Sequence, residues 1–474
     1  ADPSLNQSQQ SSPDLCSGTC RNPGDRRSGR RQPASNGRYL RRQLNVFVLE
    51  KPDDKRGLLS GFRNPGCCLA LIRRKRHHLL MTSETSPRLD DQFSFLLEAD
   101  ALKSVERSNV LMDHSRPENS AEHSWHIALY ALVFAPLAPT DVSISRVIMM
   151  LILHDLVEID VGDHPVHEAT DWDEVTRLET LAAARIFGKL PADQARVFQD
   201  LWSEFADRTT PDAVFAHVMD HTQPLFQTLC ADTVYPGHEP ITRGILTTGR
   251  GVYLKDAFPA VYAHAWHLLG DPSIVDCTPV TDRLAFLTEA DKLKSVLRAT
   301  KLVDGSRYEN SAEHSWHIML YAWVLAEHAH VPIQIDRVIA MLLIHDLVEI
   351  DAGDNPIHGD VDHAAQEAAE QAAADRLFAL LPPAQAIELR LLWDEFEAAH
   401  SDDALFAKAV DRVQSPLHNM ANGGGSWRDY DVTLDQLDSR IGVPIHAGAP
   451  AAWTWVRAQI HQFYQFYQSN GMAP

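Results

Sequence analysis

The chain has 474 residues, 45% of them hydrophobic and 23% charged, enough for two or three domains with substantial cores. A formal net charge of -21 repels phosphate backbones and argues against polymer DNA or RNA as partner or substrate, and no run approaches the roughly 20 apolar residues that cross a bilayer. Six cysteines (Cys16, Cys20, Cys67, Cys68, Cys230, Cys277) are too few for a disulfide framework or a repeated zinc–thiolate site, and they fit a soluble protein of the reducing cytoplasm.

Charge divides the chain. Residues 1–80 hold 16 Lys and Arg against 6 Asp and Glu, which leaves 27 against 58, a net charge of -31, for the rest. This stretch is rich in Ser, Asn, Gly, Pro and Arg, shows no sustained hydrophobic period, and precedes the first methionine, Met81. It reads as a leader foreign to the rest, disordered or translated from upstream sequence, with the native start at Met81. An Arg-rich targeting segment is the rival reading, against which its acidic residues and length count. Cys16 and Cys20 lack the partner pair that a zinc site needs.

From Gln92 onward apolar residues recur at three- and four-residue spacing without persistent alternation, which predicts an all-α fold. The pattern occurs twice, offset by 191 residues, from Asp100 and Asp291 through Asp220 and Asp411. The chain is therefore a tandem repeat, with one unit over 81–280 and a second over 281–474. Each opens on a helix, marked by Phe93, Leu96, Leu97 and Ala101 or by Phe286, Leu287, Ala290 and Leu293. A polar connection through Arg116 or Arg307 leads to a helix from about Ala121 to Ala135, or Ala312 to Ala329. The most apolar stretch, Ser145 to Val157 or Asp336 to Val348, is expected to be the buried central helix. A Gly-Asp turn with Pro165 or Pro356 behind it ends that helix. Later helices are expected over Trp172 to Leu190 and Ala192 to Phe205, their twins over His363 to Leu381 and Ala384 to Glu397. A last pair covers about Val214 to Leu229 and Leu405 to Met420.

The words that carry chemistry sit on this frame. His-Asp-Leu-Val-Glu-Ile-Asp-x-Gly-Asp occurs at 154–163 and 345–354. Adjacent His and Asp supply an imidazole nitrogen and a carboxylate oxygen, a mixed ligand set that Mn, Co, Zn or Fe accepts. A decapeptide identical at 118–127 and 309–318 places another histidine 31 residues ahead of the pair, and an aspartate follows 65 residues beyond the pair's Asp. An isolated His-Asp is ordinarily a surface or capping pair. The repeated spacing, and two polar groups ending a buried helix, favour a metal that satisfies them.

This order of His, His-Asp and distant Asp resembles the HD-domain metal-dependent phosphohydrolases, and within them the branch of deoxynucleoside 5'-monophosphate phosphatases. The likeness rests on Glu-His-Ser, on His-Asp-x-x-Glu followed by Gly-Asp, and on the last Asp within Val-Met-Asp-His-Thr-Gln or Val-Asp-Arg-Val-Gln. It covers about residues 92–229 and 283–460. It implies metal ligands at His123, His154, Asp155 and Asp220, and at His314, His345, Asp346 and Asp411. Helper carboxylates fall on Glu158 and Asp163, and on Glu349 and Asp354. A phosphate-holding arginine falls on Arg107 or Arg116, and on Arg298 or Arg307. Because relatives in this branch pair as homodimers, the resemblance also implies two domains paired within one chain, with further oligomers open.

The cofactor expected is one divalent metal per domain, Mn, Co, Mg, Zn or Fe. His167 and His358 align, but His217 and His221 lack counterparts in copy two and His363 lacks one in copy one, which disfavours a dinuclear site. The expected activity is hydrolysis of a phosphomonoester, a nucleoside or deoxynucleoside 5'-monophosphate first among them. Two rivals stand beside it. One is a hydrolase of a cyclic or pyrophosphorylated nucleotide; the other is a metal-holding binding or scaffold module, which would not need Glu158 or Glu349. His126 and His317 read as packing or ligand-supporting groups, and Trp125, Trp316, Trp202 and Trp393 as core. Gly423-Gly-Gly-Ser-Trp427 is either a mobile loop over substrate or an ordinary connection, and copy one lacks the tryptophan there.

Overall fold

A computed structural model of the chain describes residues 86–164, 170–231, 233, 237–249, 251–271 and 278–470; the expected leader and His167 lie outside them. Among the described residues the fold is helical with two small hairpins, as the three- and four-residue spacing predicts. Copy one comprises α1 (Pro87–Ala99), β1 (Glu106–Val110), β2 (Pro117–Asn119), α2 (Ser120–Phe134), α3 (Ile144–Leu153), α4 (Trp172–Phe187), α5 (Ala192–Asp207) and α6 (Pro211–Leu229). Helices α7 (His238–Thr247) and α8 (Pro259–Leu268) make the join. Copy two repeats the order as α9 (Thr278–Ala290), β3 (Leu297–Lys301), β4 (Tyr308–Asn310), α10 (Ser311–Leu325), α11 (Ile335–Ile344), α12 (His363–Phe378), α13 (Pro383–Ala398) and α14 (Asp402–Ala421), and α15 (Pro450–Ser469) follows. None of these helices is long and apolar enough to cross a membrane.

The polar connection ahead of the first histidine is a hairpin, not a loop. β1 pairs antiparallel with β2, Glu106 opposite Asn119 and Val110 opposite Pro117, and β3 pairs with β4 in the same way. Strands of five and three residues, largely polar, hold no apolar alternation that would announce them.

Helix α2 starts on a capping box. Asn119 Oδ1 accepts from the Glu122 amide at 3.0 Å, and Glu122 Oε2 accepts from the Asn119 amide at 2.9 Å. Asn310 and Glu313 repeat the device at α10. Fourteen of the fifteen α2 residues are buried, polar ones included. The central helix is therefore α2, where composition points to α3, whose Arg146 is exposed. The cause is its surroundings: α2 packs against α3, α6, α9 and α10. A helix walled by protein on every side buries its polar residues too, and must pair them internally.

The copies share a continuous hydrophobic core. Trp125 Nε1 donates to Leu343 O at 3.1 Å, and Trp316 Nε1 donates to Ile152 O at 3.0 Å. The opening helices lie on the opposite copies. Phe93 of α1 stacks on Trp455 of α15 with ring centroids 4.1 Å apart. Leu96 O accepts from His317 Nε2 at 2.8 Å, and Leu287 O accepts from His126 Nε2 at 3.0 Å.

Candidate metal centre

His123 stands on the first turn of α2, His154 and Asp155 on a 3-10 turn directly after α3, and Asp220 midway along α6. The fold brings ligand atoms of His123, His154 and Asp220 within 4.8 Å of one another, and likewise those of His314, His345 and Asp411. Asp155 Oδ1 lies 2.9 Å from His154 Nε2, and Asp346 Oδ1 lies 2.9 Å from His345 Nε2. Trp202 Nε1 donates to His154 O at 3.2 Å and Trp393 Nε1 to His345 O at 3.1 Å, so both indoles hold the backbone of the His-Asp turn.

The hydrogen bonds settle which nitrogen faces the centre. His154 Nδ1 donates to Leu151 O at 2.8 Å and His345 Nδ1 to Leu342 O at 2.9 Å, so Nε2 of each ring faces the centre. Both Nε2 atoms are buried without a hydrogen bond. They face carboxylate oxygens, Asp155 at 2.9 Å and Asp220 at 4.0 Å in copy one. A buried imidazole nitrogen among carboxylate oxygens needs a proton or a metal cation between them. His123 Nδ1 donates to Gln223 Oε1 at 3.1 Å, which turns its Nε2 to Asp220 Oδ1, also at 3.1 Å. His314 does the same with Gln414 and Asp411. Two imidazoles and two carboxylates so placed fit a divalent ion.

Burial pushes the Asp155 carboxyl up, but His154 and Arg107 outweigh it and hold it below its ordinary range; His345 and Arg298 do this for Asp346. Glu158 and Glu349 behave oppositely. Burial, with the neighbouring Asp155 or Asp346 carboxylate, pushes each well above the ordinary range. The Ser120 hydroxyl donates to Glu158 Oε2 at 2.5 Å, and Ser311 donates to Glu349.

Of the two arginines weighed in each copy, the one on the first hairpin strand meets these carboxylates. Arg107 Nη1 donates to Asp155 Oδ2 at 2.8 Å and lies 3.8 Å from Glu158 and 3.7 Å from Asp163. Arg298 Nη1 stands 2.9, 3.9 and 3.8 Å from Asp346, Glu349 and Asp354. Arg116 and Arg307 instead pair with the capping residues Glu122 and Glu313 and donate across to Lys294 O at 2.7 Å and Lys103 O at 2.6 Å.

Two more clusters of histidine and carboxylate, around Asp100, Glu309, His317 and His418 and around Glu118, His126 and Asp291, have metal-like spacing. Each is filled by a lysine. Lys103 Nζ donates to Asp100 Oδ1 and Glu309 Oε1, both at 2.6 Å, and to His317 Nδ1 at 2.8 Å. Lys294 Nζ donates to Asp291, to Glu118 Oε1 at 2.7 Å and to His126 Nδ1 at 2.9 Å. An ammonium has three donors and these sites use all three. Burial pushes both lysines down, but Asp100 and Glu309, and Asp291 and Glu118, outweigh it and keep them above the ordinary lysine value. The sequence offered a signal for them: the lysines end the matching words Ala-Asp-Ala-Leu-Lys and Ala-Asp-Lys-Leu-Lys, and Glu118 and Glu309 open the identical decapeptide.

Beside the copy-two cluster lies a cleft lined by Arg298, Asp354, His358, Arg412, Trp427 and Tyr430 among others. The glycine run builds a tight turn at its edge. Gly423, Gly424 and Gly425 take φ of 67°, 112° and 47°, and a Cβ on Gly425 would come within 2.3 Å of Asn419 Oδ1, which accepts from the Ser426 amide. The turn seats Trp427, buried against Phe463 and Tyr464.

A family model described as the HD domain matches residues 99–262 and again 290–453. The chain is 27% identical over 134 residues to the human 5'-deoxynucleotidase HDDC2, a match covering 28% of this chain and 64% of that protein. It is 25% identical over 134 residues to the 5'-deoxynucleotidase hdd1 of Schizosaccharomyces pombe, covering 27% and 65%. The chain thus spans just under two thirds of the length of these relatives. A crystal structure of a predicted metal-dependent phosphohydrolase from Magnetospirillum magnetotacticum MS-1 is 47% identical, covering 41% of this chain and 95% of that one, with a TM-score of 0.38. Since the two family matches take in most of the chain and each encloses one His, His-Asp, Asp cluster, the protein belongs to the HD-domain family and carries that domain twice.

Proposed function

We propose that the protein is a divalent-metal-dependent phosphohydrolase acting on small phosphomonoesters, with a nucleoside or deoxynucleoside 5'-monophosphate as substrate. The observation that carries the reading is the buried, unpartnered Nε2 of His154 and of His345, each turned to carboxylate oxygens with an arginine and a glutamate beside them. The family match and the deoxynucleotidase relatives support it.

His123, His154, Asp155 and Asp220 would hold one ion, and His314, His345, Asp346 and Asp411 a second. When bound, a divalent ion supplies a lowered pKa for a water molecule and a Lewis acid for a phosphoryl oxygen. Arg107 and Arg298 then meet the non-bridging phosphate oxygens with charge-assisted hydrogen bonds. Glu158 and Glu349, with raised proton affinity, take the proton of the attacking water on a carboxylate oxygen. Asp163 and Asp354, on the Gly-Asp turn, would assist the leaving oxygen or meet the sugar. The acidic surface favours a small substrate over a polymer.

The same reading takes 81–280 and 281–474 as the two domains, paired within the chain as the counterpart of a homodimer, and places the protein in the cytoplasm. The test is phosphate release from a panel of nucleoside monophosphates after adding Mn, Co, Mg or Zn to metal-stripped protein. Release from 5'-monophosphates that requires the metal is the expected result. A protein that binds metal and releases nothing overturns the nucleotidase reading and brings forward cyclic and pyrophosphorylated nucleotides.

A further inference from the structure

The two buried lysines tie each candidate centre to the opposite copy. Lys294 belongs to copy two, yet it donates to Glu118 of copy one at 2.7 Å. Glu118 Oε1 also accepts from Gln223 Nε2 at 3.0 Å, while Gln223 Oε1 accepts from His123 Nδ1 at 3.1 Å. Glu118 Oε2 lies 3.6 Å from that same Nδ1. The mirror chain runs from Lys103 of copy one to Glu309 at 2.6 Å, from Gln414 to Glu309 at 2.5 Å, and from His314 Nδ1 to Gln414 at 2.8 Å. Every side chain in both chains is buried.

The order of these contacts has a direction. A ligating imidazole is oriented, and its basicity set, by the acceptor its other nitrogen meets. Here that acceptor is an amide oxygen, and the amide points its oxygen at the histidine because its nitrogen is held by a carboxylate. A buried carboxylate keeps its charge and place only with a counter-charge. The nearest ammonium comes from the other copy. Stability alone does not account for such a cluster, since apolar replacements of buried ion clusters are often neutral or stabilising.

We propose that Lys103 and Lys294 are positioning residues acting in trans: each fixes, through Glu309 and Gln414 or Glu118 and Gln223, the first histidine of the other copy's metal centre. Neither HD domain then has a complete centre without its neighbour. The inference rests on the reading of His123 and His314 as metal ligands.

The experiment uses two full-length backgrounds, Asp155→Ala, which leaves the copy-two centre, and Asp346→Ala, which leaves the copy-one centre. Mn2+ alone is titrated into each, with free Mn2+ read by electron paramagnetic resonance. In the Asp155→Ala background Lys103→Met is expected to weaken Mn2+ binding about 10- to 100-fold, the range for partners behind a metal ligand. That loss should exceed the loss from Lys294→Met by tenfold or more, and the order should reverse in the Asp346→Ala background. Equal losses from both lysines, or the larger loss at a lysine's own copy, overturn the proposal, because a role in holding the copies together would not be crossed. Lys103→Gln and Lys294→Gln, which keep a donor at the site, replace the methionine variants where those do not fold, and failure of both substitutions to fold also overturns it. If neither background binds Mn2+ before any lysine is changed, the metal-centre reading itself fails and takes the proposal with it.

Discussion

The Trp125 indole donates to the Leu343 carbonyl at 3.1 Å, and Trp316 returns the bond to Ile152 at 3.0 Å. Each carbonyl lies two residues ahead of the opposite copy's His-Asp pair, so each indole steadies the approach to the other copy's centre. Trp125→Phe removes the donor and leaves a buried carbonyl unpaired, a loss of about 1–3 kcal/mol. Urea unfolding should show that loss within one cooperative transition, because the copies share a core. Two separated transitions would mean that the copies are independent.

Metal content should follow the clusters. Asp155→Ala and Asp346→Ala are each expected to remove one bound ion per chain, and the double variant should bind none tightly. Elemental analysis of protein dialysed against Mn2+ checks the count. An ion lost only from the second variant would leave copy one as a support for copy two.

The two arginines of each copy should separate by phenotype. Arg298→Gln removes the donor beside Asp346, Glu349 and Asp354 and is expected to lower kcat by about 10²–10³-fold, the range for one donor to developing phosphoryl charge. Arg307→Gln releases Glu313 and the carbonyl of Lys103, and its main effect should be a stability loss of about 1–3 kcal/mol. Steady-state kinetics and urea unfolding on both variants decide, and reversed phenotypes would assign the phosphate role to Arg307.

Proton linkage gives a signature of the centre in metal-stripped protein. Burial and Arg107 push the His123 imidazolium down, but Asp220 and Glu118 outweigh them and raise it to about 9; His314 rises to about 9 against burial and Arg298 through Asp411 and Glu309. The folded value lies above the unfolded one of about 6.5. In metal-free protein this contribution to stability is therefore full below about pH 6.5 and fades as pH rises through about 9. A metal must displace the same proton, so Mn2+ affinity should climb by up to about tenfold per pH unit per site below that value. Calorimetry in buffers of different ionisation enthalpy would show the released protons, and affinity flat from pH 6 to 9 would contradict the shift.

The helices, the duplication and the order of candidate ligands were legible because they depend on chemistry along the chain: spacing of apolar side chains, the repeated words, and the His-Asp pair. The hairpins were not, because Glu106–Val110 and Pro117–Asn119 are short and polar. For the same reason the choice between Arg107 and Arg116 stayed open, since it turns on which of them the hairpin carries to the carboxylates.

Composition pointed to α3 and α11 as the buried helices, and their apolar residues are buried, but α2 and α10 are enclosed more completely. An isolated repeat would bury its most apolar helix, whereas here the paired copies enclose α2 and α10 with their polar side chains. The role of Lys103 and Lys294 depends on residues 206 and 176 positions away, Glu309 and Glu118, that close on them in the fold. The residue order alone laid out two HD-type units with two sets of candidate ligands, since the repeated words are written in full in each. Only the tertiary structure decided that Glu118 and Glu309, behind His123 and His314, each meet a lysine of the other copy, because a buried charge is satisfied by whatever folds against it and not by what lies beside it in the chain.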